Sequence, residues 1–134
     1  MICIYCGNKT QVTNSRIQKR LNRIWRRRRC LVCNAIFTTE EMADLRTSLS
    51  VRCANGPVAP FSRDKLFISI LRSVGHRTSS IDDAGALTAT VIAILLHDAT
   101  TAAIGPADII RTVLATLHRF DNVAAVQYQA YHRQ

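Results

Sequence analysis

Residues 25–33 read Trp25-Arg26-Arg27-Arg28-Arg29-Cys30-Leu31-Val32-Cys33, and the chain opens Met1-Ile2-Cys3-Ile4-Tyr5-Cys6. The two Cys-x-x-Cys hooks stand 23 residues apart. Each hook can grip one tetrahedral ion from its own side, and four thiolates at about 2.3 Å suit zinc. Four protein ligands close the coordination shell. Cys3, Cys6, Cys30 and Cys33 therefore predict one structural Zn2+ per chain, with no open position for substrate. Iron also accepts four thiolates, and two redox dithiols are the other alternative. The fifth cysteine, Cys53, stands alone and is expected to be a small packed residue. Paired spacing in a reducing compartment favours metal over disulfides.

Ligation at Cys30 would pin the arginine run that leads into it. Along an extended run alternate residues face opposite sides, so two of Arg26, Arg27, Arg28 and Arg29 can face phosphates or a groove while two face elsewhere. Arg16, Lys19, Arg20 and Arg23 add to the same field. Of the net charge of +9, most lies here: residues 1–50 hold ten Lys/Arg against three Asp/Glu, and residues 51–134 hold eight against six. This asymmetry points to a polyanionic partner, nucleic acid, for the N-terminal part. Phosphate contacts supply affinity and base contacts supply specificity, and the run alone does not say which dominates.

The chain has 134 residues, 48% of them hydrophobic and 6% aromatic, enough for an aliphatic core in one compact domain or two small ones. No apolar run reaches the roughly 18 residues of a bilayer span. The opening residues lack a basic-then-apolar leader. The expectation is a cytoplasmic protein without a membrane partner. A change of character near residues 45–50 divides the chain into segments 1–45 and 46–134. The first reads as short strands and turns around a metal. The second begins with a hairpin over residues 49–60, where Leu49 and Val51 alternate with polar residues and Asn55-Gly56 makes the turn. Pro57 and Pro60 make the return strand short or place it at an edge.

Helices follow. Ser62 caps the first, which runs through about Val74 with Leu66, Ile70 and Val74 on one face and stops at Gly75. Ser79 or Ser80 caps the second, with Asp82 and Asp83 in its positive first turn. Its stretch Leu87–Leu96 is apolar nearly all round, so this helix should be central. Gly105-Pro106 opens a third, with Ile109, Ile110, Val113, Leu114 and Leu117 on its apolar face. Asp121-Asn122 breaks the pattern, and Val123, Val126 and Ala130 begin a short fourth helix. The class is α+β. His76, His97, His118 and His132 have no ligand spacing, and no nucleophile-and-base constellation is present, so an enzyme is not expected.

A family resemblance runs through these motifs. Cys3-x-x-Cys6, Asn14-Ser15-Arg16, the run Arg26–Arg29 into Cys30-x-x-Cys33, and Phe37-Thr38-Thr39-x-Glu41 closely resemble the bacterial ribonucleotide reductase repressor family, NrdR. Pro60-Phe61-Ser62-Arg63-Asp64-Lys65-Leu66, Asp121-x-Val123-Ala124-x-Val126 and Ala130-Tyr131 continue the resemblance. It implies a small zinc ribbon that binds double-stranded DNA at paired operator boxes, through Arg16 and Arg26–Arg29. It also implies an ATP-cone, mostly helical with a short hairpin, that binds ATP or dATP and sets the homo-oligomer. Val51, Arg52 and Lys65 are the nucleotide-binding residues expected on this basis. One departure stands out: the family's strand lysine position is Cys53 here. Arg52 is adjacent, but one residue along a strand points to the other face. Triphosphate binding is then weakened, re-routed through Arg52, or lost. Two other functions compete: a zinc ribbon that holds RNA or a protein partner beside a cone that no longer binds nucleotide, and a nucleotide hydrolase.

Overall fold

The computed structural model describes residues 1–53 and 55–132. These residues form two small sheets and five helices, an α+β architecture, in two compact units, Met1–Ala43 and Asp44–Gln134. The division falls two residues before the boundary read from the sequence. The reason is local: the Asp44 carboxylate accepts the Arg46 N–H (3.0 Å) and caps a one-turn helix, α1 (Leu45–Ser48), that begins the second unit.

The first unit is an antiparallel sheet in the order β1 (Thr10–Gln18), β2 (Arg23–Cys30), β3 (Ile36–Met42). A single 3-10 turn, Lys19–Leu21, joins β1 to β2, and Asn22 closes it in the left-handed conformation (φ 46°). Asparagine tolerates that region better than most residues. Thr13 is a bulge, because Val12 pairs with Arg28 and Asn14 with Arg27. Almost nothing covers this sheet. The buried set is Cys3, Cys30 and Phe37, with Ala35 packed against it. An apolar core so small cannot offset the conformational entropy of ordering some forty residues, so a bound metal must supply the difference.

The second unit has a real core. The hairpin strands β4 (Ser50–Arg52) and β5 (Val58–Pro60) are short, as the two prolines require, with β5 at the edge of the order β5-β4-β6. Strand β6 (Ala103–Ile104) pairs parallel with β4 and completes the sheet. Helices α2 (Arg63–Ser73), α3 (Ser80–Asp98), α4 (Pro106–Phe120) and α5 (Asn122–Tyr131) pack beside it. Ile70, Val74, Val91, Val113 and Leu117 are fully buried at its centre. The apolar face of α3 is Ala84, Leu87, Val91 and Leu95, with Thr88 satisfied by donating to the Ala84 carbonyl (2.6 Å). Length and composition alone would let α3 cross a bilayer, a possibility that uninterrupted apolar runs in the sequence do not reveal. Only one face of it is buried, against α2 and α4, while Ile81 and Ile94 are exposed.

The starts of α2 and α5 follow the sequence signals, whereas Ser79, at the N-cap position of α3, makes no cap bond and donates its hydroxyl to the Asp83 carboxylate instead (2.7 Å). Ser62 Oγ accepts the Lys65 N–H (3.2 Å), and Asp121 accepts from Val123 (2.8 Å) and Ala124 (3.3 Å) at the start of α5. Asp121 also receives His76 Nε2 (2.9 Å) and Arg77 (3.3 Å). Arg77 in turn donates to Asp83 (2.7 Å) and stacks over the Phe120 ring. These contacts tie the α2–α3 turn to the α4–α5 junction. The hydrogen bond from His76, set against partial burial and helped by the two cap N–H groups and Arg77, holds the Asp121 carboxyl down at about 2.

Candidate metal centre, nucleic-acid interface and ligand cavity

The hooks lie in turns at one end of the ribbon sheet. An isolated bridge between Ile2 and Lys9 closes the first knuckle, where Gly7 takes a positive φ (72°) that favours glycine. Asn34 does the same after the second (φ 57°). The four sulfurs of Cys3, Cys6, Cys30 and Cys33 all lie within 4.8 Å of one another, with Cys3–Cys33 at 3.7 Å and Cys6–Cys30 at 3.4 Å. Bonds of about 2.3 Å to a tetrahedral ion would set sulfur–sulfur edges near 3.8 Å, so the cluster fits Zn2+. The hooks match each other in detail: the Tyr5 N–H donates to Cys3 Sγ and the Val32 N–H to Cys30 Sγ, both at 3.4 Å.

The thiol electrostatics favour a cation. The Asn8 side chain (3.4 Å) and backbone N–H pull the Cys6 thiol down to about 6. Backbone N–H groups of Cys33 and Val32 lower Cys30. At Cys33 the Ala35 N–H also pulls down, but the Cys6 and Cys30 sulfurs beside it prevail and push it up to about 12. Four crowded thiols cannot all ionise without a dication among them. Cys53 lies outside this cluster and is exposed, not packed as the sequence suggested.

The sheet register sorts the arginines. Paired residues share a face, so Arg27 (opposite Asn14 and Thr38), Arg29 (opposite Gln11 and Ile36) and Trp25 (opposite Arg16 and Glu40) lie on one side. Arg26 and Arg28 lie on the other, with Cys30 and the buried Phe37. There Tyr5 meets Phe37 edge-on (6.4 Å between rings), placing the first hook on that side. Arg26 donates to Glu41 (3.0 Å) and Arg28 to Thr39 (3.1 Å). On the open side Arg23 engages Gln18 and Glu40, and Arg29 donates to Asn34 (3.1 Å). Among the described residues, the guanidinium groups of Arg16 and Arg27 have no hydrogen-bond or ion-pair partner. They are exposed on this open face together with the amides of Asn14 and Gln11. Sequence reasoning singled out neither amide as a contact residue. Only the register and the Thr13 bulge bring them beside the arginines.

In the second unit a cavity of about 330 Å3 opens between the hairpin and helices α2, α4 and α5. Its walls include Val51, Phe61, Leu66, Ile109 and Tyr128, and among the described residues that line it Lys65 alone carries a permanent charge. Val51 and its partner Ala59 both line it, whereas the next pair, Arg52 and Val58, does not. The structure thus brings Val51 and Lys65 together and leaves Arg52 on the opposite face of β4.

Comparison with known proteins agrees with the four-cysteine cluster. The N-terminal domain of transcriptional repressor NrdR-like proteins, a zinc ribbon, matches residues 1–41. The transcriptional repressor NrdR of Afipia carboxidovorans is 36% identical over 99% of this chain and 84% of its own length. That of Ehrlichia canis is 35% identical over 96% and 83%, and that of Leptothrix cholodnii 33% identical over 100% and 90%. With a thiolate cluster that fits zinc, an α+β fold in two units and this similarity along nearly its whole length, the chain belongs to the transcriptional repressor NrdR family.

Proposed function

We propose that this protein is a zinc-dependent, DNA-binding repressor of ribonucleotide reductase genes, a regulator in the bacterial cytoplasm and not an enzyme. The observation that carries this reading is the pair of unpartnered guanidiniums, Arg16 and Arg27, on the open face of a sheet whose order depends on metal. Arg29, Asn14 and Gln11 flank them with donors and acceptors suited to phosphates and base edges. Arg26 and Arg28 act chiefly by holding β2 against β3, and their charge strengthens the field. Zinc at Cys3, Cys6, Cys30 and Cys33 is structural: it fixes the sheet and takes no part in binding DNA.

The helical unit is the regulatory half, an ATP-cone whose ligand is ATP or dATP and whose occupancy sets the homo-oligomer on DNA. Support comes from the cavity beside the N-terminus of α2, where Lys65 offers an ammonium and the first-turn N–H groups favour an anion. Nuclease footprinting upstream of the ribonucleotide reductase genes, with and without ATP and dATP, tests the whole reading. Protection of paired boxes that changes with nucleotide is expected. Protection indifferent to nucleotide would favour the second reading, a cone that no longer binds it, for which a cysteine at position 53 in place of the family's lysine and the orientation of Arg52 speak. No protection, with binding to RNA instead, would overturn the repressor reading.

A further inference from the structure

Along α2, residues Lys65, Ile68, Ser69 and Arg72 fall at i, i+3, i+4 and i+7, one face of the helix. Together with Tyr131 and His132 they line a second cavity of about 340 Å3. It adjoins the first, since Lys65, Ser69 and His132 line both. His132 forms part of the wall between them: it hydrogen-bonds Ser69 Oγ (2.8 Å) and lies against the Tyr128 ring, 4.3 Å between centroids.

Both cavities are mostly apolar, and Lys65 and His132 line both; the second adds the Arg72 guanidinium and the Tyr131 phenol, and no carboxylate is among the described residues that line either. Among the described residues neither Lys65 nor Arg72 takes part in an ion pair, a state Arg72 shares with Arg46, Arg52, Arg63 and Arg119 of this unit, whereas Arg77 and Arg111 are paired. Two turns of helix separate Lys65 from Arg72 by about 10 Å along the axis, a span suited to a chain of phosphates rather than to one. The hairpin supplies no competing cation, because Arg52 faces away and Cys53 is not a cationic residue.

We propose that Arg72 is a phosphate ligand of this protein. The base and sugar of an adenine nucleotide occupy the first cavity, and its phosphates pass Lys65 into the α2–α5 cavity and end on Arg72. This rests on the nucleotide-binding reading of the helical unit and adds the route its phosphates take. Because Arg72 is exposed and holds no other partner among the described residues, its replacement should leave the fold intact.

Calorimetric titration of the zinc-loaded full chain with ATP, and separately with adenosine, tests the route. Arg72→Gln should weaken ATP roughly ten- to a hundredfold, the value of one charge-assisted contact, and leave adenosine unchanged. Arg72→Lys should keep most of the ATP affinity, and Arg52→Gln should keep all of it. Equal ATP affinity in wild type and Arg72→Gln would overturn the proposal and leave the nucleotide reading standing. So would a parallel loss of ATP and adenosine, which marks a structural role. A wild type that binds no ATP would overturn the nucleotide reading, and the route with it.

Discussion

Arg26 donates to Glu41 across the β2–β3 ladder at 3.0 Å, while its neighbour Arg27, on the opposite face, has no side-chain partner among the described residues. Four consecutive arginines are therefore not four equivalent DNA contacts. Removing one arginine–phosphate interaction should reduce the slope of log affinity against log salt by roughly 0.9. Arg27→Ala is expected to show that change, and Arg26→Ala clearly less of it. Titrations of one duplex at several salt concentrations check this. Equal slopes for the two variants would mean that Arg26 leaves Glu41 when DNA binds.

Zinc removal should act on one unit only. The ribbon has three buried residues and one packed alanine for a core, whereas the helical unit buries Ile70, Val74, Val91, Val113 and Leu117 completely. A strong chelator, or Cys30→Ser, should abolish the dispersed amide signals of residues 1–43 in a heteronuclear NMR spectrum and leave those of the helices in place. Elemental analysis of reduced protein should give about one zinc per chain. Because the thiols must lose their protons to bind, zinc affinity should fall as the pH is lowered.

Asp121 should make the helical unit sensitive to acid. Its folded-state carboxyl is lowered to about 2, below the unfolded value of about 3.9, so its stabilisation is complete above the unfolded value and disappears as pH falls through the folded one. Thermal melts between pH 5 and pH 2 should show this decline. Asp121→Ala should lower the Tm at pH 7 by several degrees, because it removes both the helix cap and the tie to His76 and Arg77, and should flatten the acid dependence.

The core of the helical unit should behave as a packed interior. Leu117 is fully buried on α4, so Leu117→Ala should cost about 2–5 kcal/mol in denaturant unfolding, depending on how far the site relaxes. Ile68→Ala, on an exposed position of α2, should change stability little.

The parts legible in the sequence were those fixed by local spacing. The cysteine hooks, the helix starts at Ser62 and Pro106, the break at Asp121 and the short return strand before Phe61 each follow from a few adjacent residues. What stayed hidden depended on partners far along the chain. Strand β6 is two residues long and exists only because Ser50 and Val51 pair with Ala103 and Ile104. The helix α1 is one turn and has no apolar periodicity to reveal it. The Thr13 bulge decides that Asn14, and not its neighbour, faces the same way as Arg27. Arg72 could have been linked to Lys65 by their helical spacing, but only α5 turns that stripe into a cavity wall. Alternation along β4 argues against Arg52, which the family resemblance nonetheless places among the nucleotide-binding residues, and only the cavity lining, with Val51 and without Arg52, separates the two.

In the proposed function, a metal-ordered sheet presents Arg16 and Arg27 to double-stranded DNA. Fluorescence anisotropy with a labelled duplex from upstream of the ribonucleotide reductase genes tests it most directly. Zinc-loaded wild type should bind this duplex more tightly than a shuffled duplex or single-stranded RNA, zinc-stripped protein should not bind it specifically, and Arg16→Ala with Arg27→Ala should lower the salt slope by roughly 2. An unchanged slope in that double variant, or equal affinity for the shuffled duplex and RNA, would contradict it.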